Sequence, residues 1–345
     1  SFKIDLNKYT KKQDIAGIDE LNVVNCIPDF SYVRDAMAQL VFRELGVPGP
    51  RTAYAYVSVT VPDKWSDQAL GLYSMIENID NDFAKDRFGT KDVPIFKPVT
   101  YELFLDIGDE WNDYAEIYDL KTDATPDQLQ RVIDLAHLTS HASDDAFAAQ
   151  LGEFVDIEEF AAFVAGHTIL SSYDGFFANG QNFYIYLDPK SNKLGFISWD
   201  QDHSWGEFGY VGTAEQREDA SIWEPWIYDF RFLKRAMKVP AFRDAYRRKI
   251  ETALDTVFTK ERLYPEIDRL AEAIRPAVAA ESDFRFKRFE KSVSSEWVPG
   301  DRDAGPAEGP NAPVHQIKRF IENRIISLRD QLDGKSEGSR LKRGY

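Results

Sequence analysis

The chain has 345 residues, 43% of them hydrophobic and 14% aromatic, enough to bury a sizeable core as one large or two modest domains. Its 58 acidic against 42 basic residues leave a formal net charge of −16, which disfavours nucleic acid and anionic membrane as partners and suits either plain solubility or a basic protein substrate. The single cysteine, Cys26, excludes an intrachain disulfide and reads as a small buried hydrophobe, and no apolar run approaches the ~18 residues of a membrane span.

Phe2, Ile4 and Leu6 alternate with Lys3 and Asp5, which predicts a half-buried strand. No signal peptide is visible; because the opening residues read as a strand already inside a fold, an upstream part, with any signal, is expected to be missing from this chain. A polar loop leads to a second strand at Leu21–Asn25. Asp29 or Ser31 is placed to cap a helix from about Tyr32 to Leu45, which Gly46 ends and Pro48 keeps from resuming. Thr52–Val61 and Leu70–Ile76 read as strands around a Pro62–Gln68 loop, and Glu77 follows the second. Phe83–Phe88 reads as a short helix, and Ile95-Phe96-Lys97 as a short strand stopped by Pro98. Together these predict a small antiparallel β lobe with one packed helix.

Tyr101–Asp123 is acidic and aromatic, and reads as a solvated loop more readily than as a metal site. Helices are expected from Thr125 to about Leu138, from Asp145 to Leu151 and from Ile157 to Ser171. His167 falls on the apolar side of the last and reads as a hydrogen-bonded core histidine. His137 and His141 are spaced i, i+4 but lack the intervening Glu of a zinc motif and an evident third ligand.

The most informative stretch is Ser172–Gly206. Asn182–Leu187 and Leu194–Trp199 are strands joined by the turn chemistry of Asp188–Lys193, so the outer ends of this hairpin come together. That convergence brings Asp174 and Asn179, before the first strand, towards Asp200 and Asp202, after the second. Phosphoryl transfer needs a carboxylate near the acceptor hydroxyl and oxygen ligands for a divalent cation on the nucleotide phosphates. Protein kinases place the base Asp and a metal-binding Asn five positions apart, with a second metal Asp after a hairpin. Asp174-x-x-x-x-Asn179 has that spacing and Asp200 that position, with Asp202 and Asn182 as further candidates for the metal shell. The bland alternative is that Asp174 caps a turn and Asn179-Gly180 makes a tight one.

Beyond Gly206 a loop extends to about Ala220, and Trp223 and Trp226 are expected to pack under the site. Three helices follow at Phe230–Met237, Ala241–Val257 and Lys260–Ala280, the third extended by Glu281–Phe289. Ser292–Pro313 reads as an irregular surface loop, Val314–Leu332 as a closing helix, and Gly334–Tyr345 as a mobile polar tail.

The ordered set Leu21–Asn25, Phe30–Asp35, Phe42–Pro48, Pro50–Thr52, Gly71–Glu77, Ile95–Lys97, Asp174-Gly175, Asn182–Tyr184 and Trp199–Asp202 resembles the CotH kinase family, named for a spore coat protein. The resemblance implies an α+β, atypical protein-kinase-like two-lobed fold. A single domain would span residues 1–335, with a small β-rich lobe to about 98, a larger, mainly helical lobe from 99 to 335, and a polar tail at 336–345. It also implies an enzyme using ATP and Mg²⁺ or Mn²⁺ to phosphorylate serine in a protein, with an Asp base, here Asp174, and an Asp metal ligand, here Asp200. The cation against the phosphates would be Lys97, oriented by Glu77, with Lys3 as its rival. The acceptor would be a basic, Ser-rich protein, and the setting secreted, cell-surface or spore coat. Two departures from ordinary kinases stand out: Ser172-Tyr173 replace the His-Arg before the catalytic Asp, and no glycine-rich phosphate loop occurs. A non-catalytic coat or adhesive protein, and a carboxylate-pair hydrolase using Asp174 with Asp200, are the competing readings.

Overall fold

The computed structural model describes residues 1–296 and 314–342. Within them the chain forms a mixed α and β, two-lobed kinase-like fold. The expected surface loop at 292–313 lies mostly outside the described residues.

Strands β1 (Phe2–Asp5), β2 (Glu20–Val24), β3 (Thr52–Val61) and β4 (Trp65–Glu77) form an antiparallel sheet in the order β1-β2-β4-β3. The loop expected at 62–68 is shorter than predicted, because β3 and β4 pair out to Val61 and Trp65 at the tip of a long hairpin. A second antiparallel sheet contains β5 (Ile95–Pro98), β6 (Tyr118–Leu120), β7 (Phe183–Leu187) and β8 (Leu194–Ser198) in the order β6-β5-β7-β8. Ile95–Lys97 was expected beside the first group of strands. Its Ile95 and Phe96 pair instead with Tyr186 and Ile185 of β7. All five residues of both β7 and β8 are buried, so this hairpin is a core element rather than a surface one.

Helix α1 (Arg34–Glu44) starts two residues later than the sequence suggests. Asp29 is not its N-cap in sequence, yet its carboxylate accepts from the Arg34 N–H at 2.9 Å and so does that work from outside the helix. Helix α2 (Asn81–Phe88) has Asp80 as N-cap and Gly89 at φ 81° as its left-handed end. The acidic segment after β5 holds the short α3 (Trp111–Tyr114). Helix α4 (Pro126–His141) begins with a Thr125/Gln128 capping box, and α5 (Asp144–Phe154) follows it.

Helix α6 (Ile157–Ile169) is apolar on nearly every side, because it runs through the middle of the core against β8 and later helices. A Cβ on its Gly166 would meet the Phe42 ring at 2.4 Å, so glycine is what lets α1 lie this close. His167 is fully buried among Phe42, Phe163, Phe176 and Phe177, and neither ring nitrogen has a hydrogen-bond partner. This corrects the hydrogen-bonded histidine expected there; burial pushes its pKa down to about 3, keeping the ring neutral.

The remaining helices are α7 (Ala214–Glu218), α8 (Arg231–Ala236), α9 (Pro240–Asp255), α10 (Lys260–Glu281), α11 (Asp283–Val293) and α12 (Ile317–Leu332). Residues 283–293 do not extend α10: Ser282 adopts extended backbone and caps a separate helix by accepting from Arg285 N–H at 3.2 Å. Trp223 packs on Tyr246 of α9, and Trp226 lies near Lys234, while Trp199 directly precedes Asp200 and Trp205 packs on Phe258 and Phe320. Within the segment expected as a mobile tail, the described residues to 342 are seated: Ser339 bridges to Ala220, its carbonyl accepts from Ser221 N–H at 2.9 Å, and Leu341 is buried.

From α12 the buried Arg324 donates to the Thr168 and Ala220 carbonyls at 2.7 and 2.6 Å. Trp205 N–H donates to Leu170 O at 2.7 Å. The bonds to Thr168 and Leu170 occupy carbonyls at the C-terminal end of α6 and hold the point where the chain leaves it for Asp174.

Candidate active site

The β7–β8 hairpin does what its sequence predicts. Phe183 faces Ser198 in the register, so residues just before β7 and just after β8 meet at one end. The backbone turns sharply at both ends: Asn182 has φ 60° and Asp200 φ 54°, left-handed values that Asn and Asp tolerate better than most residues. Such conformations cluster at functional sites. On the approach, Gly180 at φ 62° lies against the neighbouring loop, where a Cβ would meet Thr100 O at 2.0 Å.

Asp174 is held by two amides. Asn179 Nδ2 donates to its Oδ1, and Asn182 Nδ2 to its backbone carbonyl and, at 3.3 Å, to its Oδ2. Asn182, a candidate for the metal shell, is thus placed on Asp174. Burial raises the Asp174 pKa, opposed by the nearby charge of His203 and the bond from Asn179.

Across the hairpin end, burial likewise raises Asp200, with Lys97 and His203 opposing it. Asp202 is raised further, by burial and then by the charge of Asp200. Lys97 is half-buried over the Tyr184 and Trp199 rings, at 5.5 and 5.9 Å from their centroids. Burial lowers its pKa, and Asp200 is the strongest opposing influence. The structure therefore brings together Asp174, Asn179, Asn182, Asp200, Asp202 and Lys97.

It does not bring Glu77 to Lys97. Glu77 is buried, and its carboxylate accepts from Arg51 N–H at 2.9 Å, from Arg51 Nη2 at 2.8 Å and from Arg87 Nη2 at 2.7 Å. Two arginines saturate it, so the expected Glu77–Lys97 pair is not formed. Lys3 lies on the edge strand β1 and pairs with Glu20 at 2.6 Å.

Two further groups belong to the neighbourhood. His203 Nδ1 bonds Glu207 Oε2 at 2.5 Å, and this carboxylate partner raises the His203 pKa to about 10 against the opposing effect of burial. The imidazolium so favoured acts on Asp174, Asp200 and Asp202 alike. Its sequence signal is its place directly after Trp199-Asp200-Gln201-Asp202. Asp35 of α1 accepts from Gln201 N–H at 2.9 Å, between the two hairpin-end aspartates. No local pattern links position 35 to position 201.

The donor set of Asp200, Asp202 and Asn179 is all oxygen, which suits a hard cation such as Mg²⁺ or Mn²⁺. Among the described residues no three acidic, His or Cys groups already converge as ligands. The surface histidines do find carboxylates, His141 on Asp106 at 2.5 Å and His137 on Asp109 at 3.4 Å, without forming such a convergence. An open groove of about 550 Å³ lined by Val99, Thr100, Tyr101, Glu102, Asn179 and Gln181 runs past the Asp174 side. No helix among the described residues is long and apolar enough to cross a membrane.

Comparison with known proteins bears on this arrangement. The family described as "CotH kinase protein" matches residues 1–328. The chain is similar to the inner spore coat protein H of Bacillus subtilis (strain 168), 26% identical over 276 residues, which covers 78% of this chain and 72% of that protein.

Proposed function

The chain belongs to the CotH kinase family, and on that premise we propose that it transfers the γ-phosphoryl group of ATP to a serine hydroxyl of a protein. The observation that carries this reading is the meeting of Asp174, on its two asparagine amides, with Asp200, facing Lys97, at one end of the buried hairpin.

In this reading Asp174 accepts the proton of the serine hydroxyl as Oγ forms its bond to phosphorus and ADP leaves with the bridging oxygen. Asn179 and Asn182 aim the carboxylate, and burial raises its pKa towards the working pH of a general base. Asp200 would hold the divalent cation, with Asn179 Oδ1 and Asp202 as the further oxygen donors available to it. A bound Mg²⁺ or Mn²⁺ would neutralise phosphate charge. Lys97 reaches the phosphates from the opposite sheet strand without a glutamate partner. The Thr100–Glu102 groove beside Asn179 receives the acceptor chain. The formal charge of −16 favours a basic acceptor. The name of the Bacillus relative supports a place in or near a spore coat.

The test is calorimetric titration of ATP in Mg²⁺ or Mn²⁺ with the natural chain and Asp200→Ala. The expected outcome is metal-dependent binding in the natural chain and a loss of at least tenfold in the variant. A folded natural chain that binds nucleotide with neither metal overturns the kinase reading and favours a non-catalytic coat component. Turnover that persists in a chelator without nucleotide favours a carboxylate-pair hydrolase.

A further inference from the structure

Helix α1 is stitched to the metal-side loop at three points. Ser198 Oγ donates to Gln39 Oε1 at 2.6 Å, Gln201 N–H donates to Asp35 Oδ1 at 2.9 Å, and Trp205 Nε1 donates to the Arg34 carbonyl at 3.0 Å. The first and last are neutral bonds between satisfied groups. The middle one is different: Asp35 is buried, and its second oxygen, Oδ2, has no hydrogen-bond partner.

An unpaired buried carboxylate oxygen is costly, because desolvation is not repaid by any donor. The adjacent arginine does not relieve it. Arg34 turns to Asp29, to Ser31 Oγ at 3.1 Å and to the His315 carbonyl at 2.5 Å. No ion pair reaches Asp35 among the described residues; the charges of Asp200 and Asp29 act on it instead, and its own acts on Asp202. A third carboxylate is therefore buried within reach of the charges of two others, with Oδ1 accepting from the Gln201 N–H and, at 3.4 Å, from Gln39 Nε2, and with Oδ2 left as an open acceptor.

Through Oδ1 this acid of α1 accepts from the backbone between Asp200 and Asp202. We propose that Asp35 is a positioning residue for the divalent cation of the phosphotransfer site: Oδ1 sets the course of the 200–202 loop, and Oδ2 accepts a hydrogen bond from a water ligand of the cation held by Asp200. Mg²⁺ gives up its water reluctantly and is commonly held by one or two carboxylates with several waters retained, so an outer carboxylate has a donor to accept from. Outer partners of this kind orient the coordination shell. The inference rests on the kinase reading and adds to it a residue from a distant part of the chain.

The experiment titrates Mn²⁺ alone, then Mn²⁺ with ATP, into the natural chain, Asp35→Asn and Asp200→Ala. Thermal melting in chelator is recorded for each. Asp35→Asn keeps an oxygen for the Gln201 N–H and replaces Oδ2 with a donor. Its Mn²⁺ affinity is expected to fall roughly tenfold to a hundredfold, while its melting temperature in chelator stays level or rises, since an unpaired buried charge has been removed. A merely structural role would give the reverse pattern, a lower melting temperature and unchanged affinity, and would overturn the inference. Unchanged affinity in Asp35→Asn beside lost affinity in Asp200→Ala overturns this inference alone. A natural chain that binds no Mn²⁺, with or without ATP, removes the kinase reading and this inference with it. Asp35→Ser, smaller and uncharged, makes the same comparison should Asp35→Asn not fold.

Discussion

Glu77 shows how a residue can look functional from one side and be structural from the other. It ends a strand shortly before Lys97 in sequence, as an acid that orients a phosphate-binding lysine would. In space it accepts three bonds from Arg51 and Arg87, and the Arg87 guanidinium also lies over the Phe83 ring at 4.8 Å. A buried carboxylate that anchors two arginines is costly to neutralise, because the arginines lose their counter-charge. Glu77→Gln is accordingly expected to cost about 3 kcal/mol in urea unfolding and to leave Mn²⁺-dependent ATP affinity unchanged. A loss of nucleotide affinity without a loss of stability would restore the lysine-orienting role. Lys97 loses that partner and keeps Asp200, Tyr184 and Trp199, all brought to it by the second sheet. The sequence could suggest Asp174 with Asn179 because they stand five positions apart in one loop. It could not suggest Asp35 with Gln201, whose contact spans 166 positions.

At the scale of elements, the β7–β8 hairpin is locked to α6 by one carboxylate. Glu159 accepts from Tyr186 OH at 2.6 Å and from Phe196 N–H at 3.0 Å, joining both strands to the helix. Gly195 makes room for this, since a Cβ there would lie 2.4 Å from the Tyr186 ring and 2.6 Å from Glu159 Oε1. Burial, opposed by both hydrogen bonds, raises the Glu159 pKa to about 7 from 4.5. An acid whose folded pKa is raised binds its proton more tightly folded than unfolded. Its stabilisation is complete below about pH 4.5 and is lost as pH rises through about 7. Glu159 is therefore expected to lower stability by roughly 2–3 kcal/mol between pH 5 and pH 8. Glu159→Gln should flatten that part of the profile in denaturant titrations at matched pH; an unchanged slope would assign the pH dependence to other acids. The elements themselves were largely legible, since periodicity and turn residues are local. What escaped was the company they keep: β5 has the composition of a strand whichever sheet it joins, and only its pairing with β7 puts Lys97 across from Asp200. The end of α10 was misread for a related reason. Glu281-Ser282-Asp283 reads as polar helix surface until Ser282 turns out to cap the next helix.

For the molecule as a whole, the first sheet is tied to the helical lobe by a small cluster around Glu281, the last residue of α10. Its Oε1 accepts from Leu72 N–H of β4 at 2.6 Å, its Oε2 from Tyr32 OH at 2.7 Å, and Arg285 of α11 pairs with it at 3.0 Å. Arg285 also donates to the Cys26 carbonyl at 2.9 Å, adding the segment that links β2 to α1. Gly71, at φ 110°, lets the carboxylate reach the strand: a Cβ there would meet Glu281 Oε1 at 2.7 Å. The cluster joins residues more than 200 positions apart, so neither composition nor motif could announce it. Its consequence is mechanical. In the proposed reaction the nucleotide lies between the lobes, so a contact that ties the first sheet to α10 bears on how the lobes are held around it. A hydrogen bond to a charged group contributes about 1.5–3 kcal/mol, and Glu281 accepts two besides its ion pair. Glu281→Ala should therefore release the first sheet selectively. Amide exchange is expected to speed up roughly tenfold or more in β2 and β4, while β7, β8 and α6, to which Glu281 makes no hydrogen bond or ion pair among the described residues, keep their protection. Uniform acceleration across both sheets would mean that the lobes unfold as one unit and that the clasp contributes only to global stability. Selective loosening with slower phosphotransfer at saturating ATP would make lobe orientation, rather than nucleotide affinity, the property that Glu281 supplies.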